Sequence, residues 1–300
     1  MILEFKNIEK HFGEKEVLKS VSFTAESGKA FGLLGRNGAG KTTSIRILMG
    51  VFPQNSGEVL IDGKPIDRNK VGIGYLPEER GLYPKKMILD QLCYFAELKG
   101  LSRKEAVKAV DYWLERLQMS DYREKRLDTL SKGNQQKIQL VTALAHNPDI
   151  VILDEPFSGL DPVNAMILKD IVKEQIEKGK IVLFSSHQMN YIEEFCDSIA
   201  ILKDGKIAIS GDLSEIKKQH RRNRLVVRTE TPDAVLRAFY DTAKKNKNGD
   251  ILVKFRDQND KAEVMKKLLD TCSIDSISVY EPTLGDIFVE YTADEERSEK

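Results

Sequence analysis

The sequence predicts an α/β fold, in which a largely parallel sheet domain carries a helical subdomain and is followed by a small α+β domain. Three observations support this prediction. Short runs rich in β-branched and aromatic residues alternate with helical patterns up to about residue 219. A block at about 80–148 shows helical spacing only, and a second rhythm of strands and helices follows a basic, hydrophilic stretch at 217–224. We therefore expect one domain at residues 1–219 and another at 220–300.

The elements of the first domain follow from these patterns in chain order. Runs enriched in β-branched and aromatic residues predict strands at 3–6, 17–24, 30–34, 59–61, 73–76, 151–153, 181–184, 199–202 and 206–210. Helical spacing predicts helices at 43–49, 88–98, 102–117 and 132–145. Ser102 followed by Glu105 is typical of a capping box, which places a helix start at that serine.

The second domain is predicted in the same way. Its expected strands are 225–228, 251–255 and 274–279, and its expected helices are 233–244, 261–269 and 284–291. The basic stretch before it is interpreted as a solvated linker, and contact with RNA or lipid headgroups is the alternative.

Composition limits the classes of partner. The 47 basic residues balance the 47 acidic ones, so no global field favours nucleic acid or an anionic membrane, and no nucleic-acid partner is expected. Three cysteines lie far apart without a CxxC pair, which disfavours disulfides and zinc and fits a reducing cytoplasm. The apolar runs are too short to span a bilayer, so we expect another chain to supply any membrane segment.

A glycine-rich loop after the third strand matches GxxxxGK[ST] at residues 35–42. Its glycines let successive N–H groups point at phosphate oxygens, and the helix that follows adds the positive end of its dipole. Lys41 is predicted to grip the β- and γ-phosphates of ATP, and Thr42 to ligate Mg²⁺. The alternative is a glycine turn with an accidental lysine. The candidate nucleotide contacts are Gly35, Asn37, Gly38, Ala39, Gly40, Lys41, Thr42 and Thr43.

An acidic pair follows the apolar strand near residue 150. Asp154 and Glu155 are expected at the carboxyl edge of the sheet, where nucleotide sites form. Asp154 is the candidate Mg²⁺ ligand, and Glu155 the candidate base that orients and deprotonates the attacking water. An ordinary acidic strand end is the alternative interpretation, which the nearby phosphate loop disfavours.

The segment Leu130-Ser131-Lys132-Gly133-Asn134-Gln135-Gln136 resembles the signature motif of ATP-binding cassette (ABC) proteins, a branch of the P-loop ATPases. The match runs over roughly residues 1–215. It implies a head-to-tail dimer, either a homodimer or a heterodimer with a second ABC ATPase. Each nucleotide then lies between the phosphate loop of one subunit and the signature helix of the other.

Further landmarks of the family occur in order along the chain. The resemblance implies that Ser131, Gly133, Asn134 and Asp161 contact nucleotide across the dimer, that His187 is the switch histidine and that Phe12 stacks on adenine. A structural histidine and a core aromatic are the alternatives for His187 and Phe12.

Two departures from the family pattern stand out. The signature has Lys132 and Asn134 where glycine and glutamine are usual, although Ser131 and Gly133 are kept. Glu78 occupies the position at which the family usually has a Q-loop glutamine. Its carboxylate is a candidate Mg²⁺ ligand, and a solvated acidic loop is the alternative.

The runs Gly74-Tyr75-Leu76-Pro77-Glu78-Glu79-Arg80-Gly81-Leu82-Tyr83 and Glu281-Pro282-Thr283-Leu284-Gly285-Asp286-Ile287-Phe288 resemble an exporter branch that includes sodium-extruding systems. The resemblance implies an ATPase subunit at the cytoplasmic face of the membrane, attached only through a polytopic permease that exports Na⁺, a drug, a lipid or a peptide. The predicted helix 88–98 is a candidate docking site for that permease, with core packing as the alternative.

Two rival functions remain at this level. One is a soluble ABC ATPase of translation or DNA repair, which the single cassette and the lack of sustained heptads disfavour. The other is a nucleotide-binding regulator that does not hydrolyse ATP, which Glu155 disfavours.

Overall fold

The two compact units of the chain each have their own hydrophobic core. The structure, a computed structural model, describes residues 1–79, 81–186, 188–220, 223–246 and 249–292. The first unit comprises residues 1–213 together with the described residues from Glu290, and the second comprises residues 214–289. The expected α/β architecture is confirmed. No helix in the described ranges is long and apolar enough to cross a membrane.

A four-stranded antiparallel sheet begins the first unit. Its strands are β1 (Ile2–Phe12), β2 (Lys15–Glu26), β4 (Ser56–Ile61) and β5 (Lys64–Pro65), and their spatial order is β2-β1-β4-β5. Along β1 and β2, buried and exposed side chains largely alternate, which is the pattern of a sheet with one face on the core.

A six-stranded sheet positions the site. Its strands are β3 (Ala30–Gly35), β6 (Ile73–Leu76), β7 (Ile150–Asp154), β8 (Ile181–Ser185), β9 (Ser198–Lys203) and β10 (Lys206–Asp212), and their spatial order is β10-β9-β3-β8-β7-β6. All neighbours pair in parallel except the edge strand β10. Strands β3, β7 and β8 are buried along their whole length, as expected for a parallel sheet covered on both faces.

The core of the first unit is built from residues of both sheets. Phe23 of β2 stacks on Phe5 of β1 at 4.4 Å between ring centroids and on Phe31 of β3 at 4.9 Å. The stacking of Phe23 on Phe31 joins the antiparallel sheet to the parallel one.

Up to residue 219, the described residues form seven α-helices. They are α1 (Lys41–Leu48), α2 (Ile88–Leu98), α3 (Arg103–Arg116), α4 (Lys132–Leu144), α5 (Pro162–Glu177), α6 (Met189–Phe195) and α7 (Leu213–Gln219). Helices α2, α3 and α4 pack against one another and form the predicted helical block. The capping box predicted at Ser102 and Glu105 is confirmed, with both reciprocal hydrogen bonds present.

Most of α7 belongs to the second unit, and the elements after it have the order β-α-β-β-α-β followed by a helix. These elements are β11 (Arg224–Arg228), α8 (Pro232–Ala238), β12 (Ala243–Lys245), β13 (Ile251–Lys254), α9 (Gln258–Thr271), β14 (Ser276–Val279) and α10 (Leu284–Thr292). The antiparallel sheet has the order β12-β13-β11-β14, so each β-α-β unit is split by a strand between its two strands. Leu225, Val227 and Val253 face its core with Phe239 and Leu268.

The prediction of a helix at 233–244 is wrong in its second half. Helix α8 ends at Ala238, and Phe239 leaves the helical region with φ −128° and ψ 40°. Its ring enters the core at 5% exposure, and the chain then pairs with β13 as the short strand β12. Burial of Phe239 and the strand pairing overrode the local helical pattern.

Candidate functional site

Parallel strands bring their carboxyl ends to one edge of the six-stranded sheet, and a cleft of about 710 Å³ opens there. The phosphate loop follows β3, Glu78 follows β6, and the acidic pair lies at the end of β7. The lining residues are Lys15, Glu16, Val17, Lys19, Arg36, Asn37, Gly38, Ala39, Gly40, Lys41, Thr42, Thr43, Glu78, Asp154, Glu155, Asp204 and Gly205. The structure thus brings together side chains that the sequence separates widely.

The phosphate loop depends on glycine where the chain turns into α1. Gly40 has φ +114°, and a Cβ atom there would lie 2.5 Å from Leu18 Cδ2. Gly38 also has a positive φ, +83°. An L side chain rarely adopts this backbone, so glycine is required for the tight approach to the first turn of the helix. The Ser44 side chain anchors that turn by donating to the carbonyl of Gly40 at 3.1 Å.

Lys41 begins α1 and curls back over the loop. Its Nζ donates to the carbonyl of Gly35 at 2.7 Å and lies 3.4 Å from the carbonyl of Arg36. Burial lowers the pKa of Lys41, and the charges of Asp154, Glu155 and Glu78 oppose that shift. The Lys41 ammonium is thus held at the base of the loop by two backbone carbonyls.

Asp154 ends the buried strand β7 and is 7% exposed. Burial raises the pKa of its carboxyl group, because the charged form loses hydration. The side chains of Ser185 and Tyr75 oppose the shift, and the Tyr75 hydroxyl, from the neighbouring strand β6, donates to Asp154 Oδ2 at 3.3 Å. A carboxylate has about four lone-pair sites, so it retains acceptor capacity for a cation.

Glu155 is 6% exposed and sits in a strained backbone conformation, with φ +48°. The end of β8 holds it there. Its N–H donates to the carbonyl of Ser185 at 2.8 Å, and the Ser186 hydroxyl donates to Glu155 Oε2 at 2.9 Å. Phe157, two residues on, is 4% exposed and stacks on Tyr191 at 4.0 Å, which anchors the turn.

The signature segment and Asp161 lie outside the cleft lining. Ser131 is exposed at the N-cap of α4 and accepts from the Asn134 N–H at 3.4 Å. Asp161 is exposed at the N-cap of α5. A Cβ atom built on Gly133 would lie 3.6 Å from both Asn164 Nδ2 and Leu160 Cδ2, so these two segments are neighbours.

Phe12 also lies outside the cleft lining, at the end of β1. Its ring is 47% exposed and packs edge-on against Phe52 at 5.2 Å, with Lys10 Nζ 5.1 Å from the ring centroid. The ring is therefore a supported surface platform and does not belong to the core. His187 lies outside the described residues.

Several site residues escaped the sequence analysis. Lys15 and Lys19 lie on β2, Asp204 lies in the turn between β9 and β10, and none of the three carries a motif. Tyr75 reaches Asp154 across 79 residues of chain. Ser186 was visible only as a residue between a predicted strand and His187. Only strand register could have identified its contact with Glu155.

A larger cleft, of about 1000 Å³, lies within the second unit. Its described lining mixes acidic side chains such as Asp241 and Glu263 with basic ones such as Lys254 and Arg256. None of these four is buried. The smaller cleft at the sheet edge, with its phosphate loop, is therefore the candidate active site.

Comparisons with known proteins agree with this geometry. Residues 18–158 match the ABC transporter family model, and residues 211–292 match the C-terminal domain of DrrA1-3-like ATP-binding proteins. An ABC transporter ATP-binding protein of Methanocaldococcus jannaschii is 46% identical over 78% of this chain and 89% of its own. The ABC transporter ATP-binding protein YhaQ of Bacillus subtilis is 39% identical over 96% of this chain and 98% of its own.

A third relative is the linearmycin resistance ATP-binding protein LnrL of Bacillus subtilis, 34% identical over 72% of this chain and 70% of its own. Among solved structures, an ATP-binding subunit of an ABC transporter superposes with a TM-score of 0.67 at 31% identity, covering 73% of this chain and 93% of that one. The chain therefore belongs to the ATP-binding subunits of ABC transporters, ATPases that bind ATP and drive transport through a separate membrane permease.

Proposed function

We propose that the chain forms a head-to-tail dimer, with itself or with a related ATP-binding subunit, that hydrolyses Mg²⁺-ATP at two composite sites and powers export. The observation that carries this proposal is the separation of two half-sites on one subunit. Lys41 and the acidic pair line the cleft, whereas Ser131 is exposed at the start of α4 and lies outside that lining. A facing subunit can complete each site with its own Ser131.

The first half-site binds the triphosphate. Backbone N–H groups of the loop and the positive end of α1 favour the phosphate oxygens, and Lys41 adds a full charge. Competing contacts of Lys41 with two carbonyls are exchanged for the β- and γ-phosphates when ATP enters. The exposed ring of Phe12 offers a face on which adenine can stack.

The oxygen ligands around the loop fit Mg²⁺. Thr42, Asp154 and Glu78 line the same cleft and supply hydroxyl and carboxylate oxygens, which hard cations prefer. Phosphate oxygens of ATP would supply further ligands of the same hard type. When bound, the ion would neutralise charge on the β- and γ-phosphates.

The remaining residues act on the attacking water and across the dimer. Glu155, held by the end of β8, accepts the proton of the attacking water. His187 is assigned the role of the switch histidine by family resemblance alone. Ser131, Gly133, Asn134 and Asp161 contact the nucleotide bound to the facing subunit. Loss of the γ-phosphate removes those contacts and lets the dimer open.

An apolar groove is the proposed permease contact. It has a volume of about 340 Å³, and Leu82, Phe95 and Leu98 lie among its lining residues between the loop after β6 and helices α2 and α4. Leu98 is 64% exposed, Tyr94 50% and Tyr83 56%, so an apolar patch surrounds the groove. A short helix of the permease is the occupant that fits this geometry, since a helix lays its apolar face into such a groove.

Export from the cytoplasm is the proposed direction. The similar proteins include one whose name states linearmycin resistance and one whose name states Nod factor export. We place the ATPase at the cytoplasmic face of the membrane, with residues 1–219 as the ATPase domain and 220–300 as an accessory domain. The match of residues 211–292 to a separate C-terminal family supports that division.

Co-purification tests the proposal. Tagged chain extracted from membranes in mild detergent should bring down a polytopic protein, and Leu98→Asp should abolish this recovery because it places a charge in the groove. Leu269→Asp is the matched control, since Leu269 is also 64% exposed but lies on α9. If the tagged chain is recovered without any polytopic partner and has full ATPase activity, a soluble ATPase is favoured instead.

A further inference from the structure

Strand register places Ser186 beside the acidic pair. Strands β7 and β8 run in parallel, with Asp154 opposite Ser185 in the last pair of the register. The next residues on the two strands, Glu155 and Ser186, therefore leave the sheet side by side. The pairing holds even though the two side chains are 31 residues apart in the chain.

Ser186 is buried, and its hydroxyl makes two hydrogen bonds. It is 2% exposed, and its Oγ lies 2.9 Å from Glu155 Oε2. The Ser186 hydroxyl donates this hydrogen bond, and the carboxylate oxygen accepts it. The same Oγ accepts from the Gln188 N–H at 3.0 Å. One side chain thus connects the carboxylate to the backbone just after β8.

Glu155 needs such support because its backbone is strained. A non-glycine residue with φ +48° persists only where neighbouring contacts determine it. The Ser185 carbonyl holds the Glu155 backbone at 2.8 Å, while Ser186 holds the end of the side chain. The Ser186 hydroxyl thus helps to orient the carboxylate, and a misplaced base loses much of its effect.

We propose that Ser186 is a positioning residue for ATP hydrolysis: its hydroxyl fixes the carboxylate of Glu155 and ties that carboxylate to the loop that follows β8. This proposal rests on the role of Glu155 in the proposed function. Ser186 is buried and is not among the residues that line the cleft, so it governs the rate of hydrolysis and not the affinity for ATP.

Removal of the hydroxyl is the first test. Ser186→Ala should lower kcat about 10- to 100-fold, the range expected when a hydrogen bond to a charged group is lost, and leave KM for ATP within about twofold. Ser186→Thr keeps a hydroxyl and should retain most of the activity. Ser186→Cys, a weaker donor, should fall between them and replaces the alanine variant if that variant does not fold.

Ser56→Ala is the matched control. Ser56 Oγ donates to Glu9 Oε2 at 2.7 Å, the same pair of chemical groups, but on the surface and outside the cleft lining. Its kcat should equal that of the unmodified protein. A loss of activity in this control as large as that of Ser186→Ala would overturn the assignment to Ser186.

A double-mutant cycle and dimer formation separate positioning from general damage. In the Glu155→Gln background, Ser186→Ala should have little further effect on kcat, because both act through one group. ATP-dependent dimers of Ser186→Ala should form by size-exclusion chromatography and persist longer. Unchanged kcat in Ser186→Ala, equal losses for alanine and threonine, or fully additive effects would each overturn the proposal.

These outcomes also distinguish the inference from the proposed function. Slow turnover in Glu155→Gln with normal turnover in Ser186→Ala refutes the positioning role and leaves the base assignment intact. Normal turnover in Glu155→Gln removes the base assignment itself.

Discussion

Replacement of Glu155 by Gln isolates the proton-accepting step. The side chain is 6% exposed, and glutamine has nearly the same shape with an amide oxygen that can still accept from Ser186. The fold and the phosphate loop should therefore be unchanged. What is lost is the basicity of one carboxylate, and general base catalysis contributes about 10²- to 10⁴-fold, or about 3–5 kcal/mol of barrier.

Phosphate release at saturating Mg²⁺-ATP measures this loss, and fluorescent-nucleotide binding checks that affinity survives. We expect turnover at least about 100-fold slower, near-normal ATP affinity and an ATP-dependent dimer that no longer dissociates. Glu79→Gln is the control, because Glu79 is an exposed carboxylate outside the cleft lining. Normal turnover in Glu155→Gln would refute the reasoning.

The remaining predictions concern the phosphate loop, the Mg²⁺ site and the partly buried His146. Lys41→Ala should weaken ATP binding in calorimetry by about 10- to 100-fold or more, since it removes a charged donor, and unchanged affinity would contradict the loop assignment. Glu78→Gln should tighten ATP binding in EDTA, because it removes one negative charge from the cleft. It should also reduce the increase in ATP affinity that Mg²⁺ gives, because one metal ligand is lost. An identical Mg²⁺ dependence of ATP affinity would exclude Glu78 as a ligand. Burial lowers the pKa of His146 to about 4 from 6.5, so the unfolded chain binds a proton below pH 6.5 that the folded chain does not, and stability falls between pH 6.5 and pH 4. Urea unfolding at pH 7.5 and pH 5 should show a loss of about 2 kcal/mol from this residue, absent in His146→Gln.

The parts of the site that sequence predicts are those whose geometry is local. A loop that must turn inward and start a helix needs glycines at fixed positions, so Gly38 and Gly40 are recognisable from spacing. An uninterrupted apolar strand ending in Asp154 and Glu155 likewise places both at a sheet edge. Local backbone demands leave a residue pattern that can be seen without a structure.

Contacts across strands leave no such pattern. The hydrogen bonds from Tyr75 to Asp154 and from Ser186 to Glu155 join neighbouring strands of the sheet, and their existence depends on strand order and register. Neither strand order nor strand register follows from the secondary-structure propensities of the residues. These two hydroxyls became recognisable only once β7 was seen between β6 and β8.

The accessory unit shows a second limit. Its α+β class followed from periodicity, but strand β12 has only three residues, Ala243–Lys245, too few for an alternating pattern to emerge. The helical pattern that precedes β12 therefore predicts a helix that extends beyond the end of α8 at Ala238. Pairing with β13, and burial of Phe239, decided the structure of this segment.

In the proposed dimer each nucleotide is held between two subunits, and a structure of the Glu155→Gln variant with Mg²⁺-ATP is the decisive test. Ser131 of one subunit should lie within hydrogen-bond distance of the γ-phosphate held by Lys41 of the other. A nucleotide-bound structure in which Ser131 faces solvent, with ATP enclosed by one subunit alone, would contradict it.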